Sequence, residues 1–159
     1  MNTAQRSKSI YQPAVIFAVI MASAIGLSAC GHVMMMAGKS GARRPTATEF
    51  GLGPRPSAQG RYIATLEPGT QLRPRQMQTL RVVVTDADGR PVDDAAIVIA
   101  GGMPQHGHGL PTRPRVTQGL GGGAYQIEGV RFNMGGWWEF KVVIETPGGA
   151  DTITFNLDL

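Results

Sequence analysis

From position 137 to 145 the chain reads WWEFKVVIE, and its apolar residues alternate. Trp138, Phe140, Val142 and Ile144 fall on one side, and Trp137, Glu139, Lys141 and Glu145 on the other. A strand sends successive side chains to opposite faces, so this pattern predicts a half-buried β-strand. The closing DTITFNLDL repeats it, with Ile153, Phe155, Leu157 and Leu159 set against Thr152, Thr154, Asn156 and Asp158. Pro147-Gly148-Gly149 separates the two as a turn.

Upstream, RYIATLEP reads as a first strand. QTLRVVVT runs into the turn Asp88-Gly89, which Pro91 closes. DAAIVIAGG alternates at Ala95, Ile97 and Ile99, and AYQIEGVRF puts Tyr125 and Ile127 on one face. Half-buried alternation of this kind belongs to antiparallel sheets with one wet face. About seven strands at a spacing of about 8–12 residues predict an all-β, Ig-like antiparallel β-sandwich over residues 59–159. The segment is long enough for one small core.

The first thirty residues follow another pattern. Arg6 and Lys8 precede the uncharged apolar run PAVIFAVIMASAIGL, Pro13 to Leu27, which leads into LSAC. A basic start, an apolar run of this length and small residues after it predict a secretory signal over residues 1–29. A single membrane-spanning helix needs about 20 apolar residues, which makes an uncleaved anchor the lesser reading. LSAC resembles a bacterial lipobox. That resemblance implies cleavage before Cys30, lipidation of its thiol and acylation of its new amine, with palmitate as a typical chain. Gly31, rather than Asp, follows the cysteine, which by the sorting rule of such lipoproteins implies the outer membrane, facing the periplasm. Residues 30–58 then read as a lipidated cysteine and a flexible tether, rich in Gly, Pro, Ser and Ala.

Removing the signal changes the charge picture. It leaves 130 residues with thirteen basic and eleven acidic side chains. The full-chain pI of about 9.7 therefore overstates the basicity of the working protein. No basic cluster argues for a nucleic-acid partner. Cys30 is the only cysteine, so its lipidation leaves no thiol for a disulfide or a nucleophile.

The candidate chemistry lies in GGMPQHGHGLPTRP, Gly101 to Pro114, which holds Met103, His106 and His108. In an Ig-like sandwich the third and sixth strands pair antiparallel. That pairing would carry this loop to Met134 and Trp137. Imidazole suits copper, zinc and nickel, and thioether suits Cu(I), so His106, His108, Met103 and Met134 together favour copper. The exposed face of Trp137 would shield the ion or contact it. The competing reading makes the same residues structural: Met103 and Met134 pack in the core, and the histidines organise a long loop. His32 with Met34, Met35 and Met36 poses the same choice, and a membrane-proximal apolar stretch is the preferred reading there.

Other motifs are weaker. DADG lacks the remaining acidic positions of a calcium loop and reads as a β-turn. GLGGG has no helix after it to hold a phosphate and reads as a hairpin tip. No nucleophile, base and orienting acid are grouped by any motif, so an enzyme is not expected.

The run VVVTDADGRPVDDAAIVIAGGMPQHGHGLPTRPRV, followed by GGGAYQIEGVRFNMGGWWEFKVVI, resembles the YtkA-like/FixH-like family of bacterial extracytoplasmic domains. The G-x-P-V turn, MPxHGHG, G-x-Y-x-x-x-G-V-x-F and M-x-G-x-W occur in the family's order. The resemblance implies an exported Ig-like sandwich. FixH is linked to a copper-pump and oxidase-assembly system, and the broader sandwich resembles CopC-type copper carriers. On this resemblance Met103, His106, His108 and Met134 carry the copper. One feature departs from it: FixH proper is held by a transmembrane helix, whereas this chain has the lipobox-like LSAC.

Two functions follow as expectations. The first is a lipid-anchored copper-binding or copper-handling protein of the cell envelope. The second is a metal-free structural or protein-interaction module that presents Trp137, Arg113 and Arg115 to an envelope partner.

Overall fold

Apolar alternation becomes strands in the computed structural model, which describes residues 42–159. The signal over 1–29, the lipidated Cys30 and the His32/Met34–Met36 stretch lie outside the described residues. The strands are β1 (Arg55–Pro56), β2 (Tyr62–Pro68), β3 (Met77–Asp86), β4 (Ala96–Met103), β5 (His108–Gly109), β6 (Arg115–Gly121), β7 (Ala124–Arg131), β8 (Trp137–Thr146) and β9 (Gly149–Asp158). Seven of the nine have seven residues or more. All pairings between these strands are antiparallel.

The hydrogen-bonded order is β1-β2-β3-β7-β6-β4-β8-β9, with β5 on β4. Two layers can be followed along this path, β1-β2-β3-β7-β6 and β4-β8-β9. They meet on one side through a single strand pair, Val98 with Arg115. Cross-strand partners share a face, and the register stacks the apolar ones inward. Phe140 faces Phe155, Val142 faces Ile153 and Trp138 faces Leu157. In the other layer Leu66 faces Val82 and Leu80 faces Ile127. All ten are buried in one core. Phe132 and Trp138 meet edge to face at 5.2 Å between ring centroids, the arrangement that ring quadrupoles favour. Burying one large apolar side chain contributes roughly 1.5–3 kcal/mol.

β6 went unread in the sequence. Its RVTQGLG has only two apolar residues, Val116 and Leu120, among five small or polar ones, so the alternation is faint. The glycine run does form the turn into β7: Gly121, Gly122 and Gly123 all have positive φ. In β7 the buried positions shift phase, from Tyr125 and Ile127 to Val130 and Phe132. Ile127 pairs with Leu80 and Val130 with Gln78, so Glu128 and Gly129 together oppose one residue of β3. This is a β-bulge, and Gly129 takes φ 78° in it.

The domain begins earlier than position 59. Residues of the stretch read as tether lie between β9 and β2 and close the open side of the sheet. Phe50 bridges Asn156. The amide of Gly51 donates to the Asn156 carbonyl at 3.0 Å, and that of Ala58 to Thr152 at 2.8 Å. On the other flank Leu66 donates to Leu52, and β1 pairs with β2. Composition predicted no order here because the segment has almost no core of its own. Its order comes from two sheet edges whose backbone groups need partners.

Strand directions gather residues 69–76, 104–114 and 132–136 at one end, together with the C-terminal residue. Arg75 donates its amide to Phe132, and Gly136 and Leu159 exchange two hydrogen bonds there. Residues 87–95, 122–123 and 147–148 occupy the opposite end.

Candidate functional site

The third and sixth long strands, β4 and β8, pair antiparallel as expected, with Gly102 opposite Glu139 and Ile97 opposite Ile144. This register brings the end of β4 beside the start of β8. Beyond it the chain folds back as a tight hairpin onto β5, with Met103 opposite His108. The Met103 carbonyl accepts from the amides of His106 at 3.0 Å and Gly107 at 2.9 Å. Gly107 has φ 67°, which glycine adopts without steric cost. Gly101 and Gly102 are required by close approach. A Cβ at Gly101 would collide with the Glu139 carbonyl, and one at Gly102 with the His108 carbonyl.

The hairpin holds His106 and His108 with their rings stacked, 5.6 Å between centroids and 22° between planes. Both side chains are exposed. The two methionines of the expected ligand set point elsewhere. Met103 is 2% exposed and belongs to the core. Its terminal methyl lies 3.2 Å from where a Cβ on Gly136 would stand. Met134 is half-buried against the same core, and its carbonyl accepts from the Trp138 indole at 3.1 Å. The backbone pairing therefore brings the four residues to one end of the domain, while only the two imidazoles face solvent together.

Trp137 departs from expectation. The sequence places its face in the open, beside the ion or toward a partner, yet it is 3% exposed. Its indole donates to the Asn156 Oδ1 at 3.0 Å, and the Asn156 amide donates to the Glu49 carbonyl at 3.1 Å. The outer face of β8 and β9 is bordered here by residues 43–50, which sequence alternation cannot reveal. Arg113 and Arg115 are exposed as expected. They border a hollow of about 500 Å³ with Met77, Thr112, Thr117 and Glu128.

A residue outside the expected set adjoins the hairpin. Glu139 lines a shallow hollow of about 360 Å³ together with Met103, Gly107, His108 and Lys141. Its carboxylate pairs with Lys141 at 2.8 Å. The signal for it was the strand pairing itself, since Glu139 is on the outer face opposite Gly102. Among the described residues, no three of His, Cys, Asp or Glu converge as a metal cluster.

The DADG segment is a turn. The Asp86 carboxylate accepts from the amides of Asp88 and Arg90, each at 2.9 Å, and pairs with the Arg90 guanidinium at 2.7 Å. Side-chain and backbone hydrogen bonds from Arg90 hold its carboxyl below the usual range.

No curated protein matches the chain. Among solved structures, the ZirS C-terminal domain aligns over 87% of this chain and 97% of its own length, at 15% identity and a TM-score of 0.35. That likeness is too slight to inform fold or function. The model of the YtkA-like family matches residues 58–143, more than half of the chain and every strand from β2 into β8. The chain belongs to the YtkA-like family.

Proposed function

We propose that this protein is a lipid-anchored, extracytoplasmic binding protein that holds copper at the His106/His108 hairpin, without a catalytic role of its own. The observation that carries the reading is the imidazole pair, exposed side by side on a hairpin that glycines tie to the sheet. The two rings stand 5.6 Å apart between centroids, near enough for both to reach one ion at about 2 Å. Rotation about χ1 and χ2 would turn the stacked rings so that one nitrogen of each meets the ion, and exposed side chains rotate freely. Two imidazoles without a thiolate suit copper in either oxidation state. Met103 and Met134 would join as ligands only by leaving the core. The LSAC motif supports the anchor, and Cys30→Ser would release the protein from membranes.

The competing reading is a metal-free interaction module. It draws on the burial of Met103 and on the exposure of Arg113 and Arg115. A competition titration with Cu(I) and Cu(II) separates the two. The soluble form should begin at Ala42, because Arg44 already pairs with Asp158 of β9. One-to-one binding that His106→Ala/His108→Ala abolishes is the expected result. Equal, weak binding by both proteins would overturn the copper reading.

A further inference from the structure

Positive charge gathers at the end of the domain that carries the histidine hairpin. Arg73, Arg75, Arg113, Arg115 and Arg131 lie in or beside its loops, and all five side chains are exposed. Among the described residues none of the five guanidinium groups makes an ion pair or a hydrogen bond, and Arg73 meets the Gln78 side chain through its backbone alone. The acids at or near this end already have partners: Glu128 accepts from Gln126, Asp158 pairs with Arg44, Glu139 with Lys141 and Glu67 with Arg81. The opposite end instead carries Asp86, Asp88, Asp93 and Asp94, with Arg90 as the cation paired to the first two.

Two further observations identify the surface that this end fits. Met77 is the most exposed large apolar side chain among the described residues, at 64%. It pairs in register with Arg131 and borders the same hollow as Arg113 and Arg115. Arg75 is held at φ 65°, a conformation that disfavours side chains, with its amide bonded to Phe132. The backbone thus tolerates strain at a position whose side chain serves nothing inside the domain. The chain also enters the domain at this end, where Arg44 meets Asp158 at 2.7 Å. Arg44 stands fourteen positions after Cys30, a reach of at most about 50 Å.

We infer that the arginine end docks on the headgroups of an anionic phospholipid bilayer, with Met77 inserted at the interface. Guanidinium groups pair with phosphate bidentately, and a bare thioether side chain amid them suits the boundary between headgroup and acyl chain. An acidic protein surface would match the charge, but it would leave Met77 without a role. The inference needs neither copper nor the lipid on Cys30. Its test uses the form that begins at Ala42, so its failure and that of the proposed function are distinguishable.

The experiment is co-sedimentation with vesicles of phosphatidylcholine alone and of phosphatidylcholine mixed with phosphatidylglycerol. Binding is expected only to the anionic vesicles and should weaken as salt shortens the screening length. Arg113→Gln/Arg115→Gln should cut partitioning roughly tenfold to thirtyfold, given the attraction of each basic residue near such a surface. Met77→Ser should weaken it without altering its salt dependence. Arg90→Gln, which removes a charge at the other end, should leave it unchanged, and thermal melts of each variant exclude unfolding. Equal loss in Arg90→Gln would overturn the inference. So would binding to soluble polyglutamate as tight as to the vesicles, indifferent to Met77→Ser, which would identify an acidic protein partner instead.

Discussion

The Trp137 indole donates a 3.0 Å hydrogen bond to the side chain of Asn156, and Asn156 passes the contact on to the Glu49 carbonyl. This short chain ties β8 to β9 and β9 to the segment before β1. It explains why Trp137 is buried although it stands on the outer side of its strand.

The segment is therefore part of the folded unit, and its removal should be measurable. A form that begins at position 59 loses the bonds from Gly51 to Asn156 and from Ala58 to Thr152, and uncovers the outer edges of both β9 and β2. It should melt well below the form that begins at Ala42, and its bare edges should promote aggregation. Asn156→Ala isolates one contact. It leaves the Trp137 N–H and the Glu49 carbonyl without that partner, at a cost of about 1–3 kcal/mol in urea unfolding. An unchanged midpoint in both would return the segment to the role of a tether.

Acid stability should depend on Asp151. Its side chain has no solvent exposure and lies 3.7 Å from the Arg61 guanidinium. Burial alone would raise its pKa, but hydrogen bonds from the Ser57 side chain and from the backbone of Gln59, Thr152 and Arg61 outweigh it and lower the carboxyl below 3.8. The carboxylate therefore stabilises the fold at pH values above its unfolded pKa, and this contribution disappears as pH falls through the lower, folded value. Denaturant midpoints should drop steeply below pH 3.8 in the wild type. Asp151→Asn should be less stable at neutral pH and show a flatter acid limb. Parallel curves would mean that Asp151 does not supply the pH dependence.

The hairpin makes a sterically specific prediction. Gly102→Ala places a methyl group against the His108 carbonyl, which is backbone and cannot swing aside. The cost should be about 1–3 kcal/mol, as for an overpacked core, and the β4–β5 pairing should open. Amide exchange at Gly107 and Leu110, whose N–H groups bond the Met103 and Gly101 carbonyls, reads this directly. Gly107→Ala meets no atom within 4 Å and is strained only by its φ of 67°. It should cost less and leave the pairing intact.

These contrasts show which features the sequence carries. β8 and β9 were legible because each carries one face of regularly spaced apolar residues, and the β4–β8 pairing followed from the sandwich topology. β6 was not, because a strand of glycines and polar residues has no period to read. Trp137 was misplaced because its cover comes from residues about ninety positions away. Met103 and Met134 reached the expected end of the domain. Their sulfurs were placed by packing, however, and packing depends on what the core needs to fill. The arginine end is invisible in the sequence, since Arg73, Arg113 and Arg131 meet only through the loop arrangement.

Met103 decides between packing and ligation. The residue is 2% exposed in the core cluster, and its methyl group reaches toward Gly136. If it only packs, Met103→Leu conserves volume and polarity and should shift stability by less than about 1.5 kcal/mol. Met103→Ala should cost about 2–5 kcal/mol. On the proposed copper site, affinity should then be the same in wild type and Met103→Leu, since that site uses only His106 and His108. The opposite result has its own signature: Cu(I) affinity falls in Met103→Leu, Cu(II) affinity does not, and the melting temperature stays level. That outcome would mean the hairpin opens to release the sulfur when the reduced ion binds. The site would then be a coupled element of the fold rather than a pair of side chains on its surface.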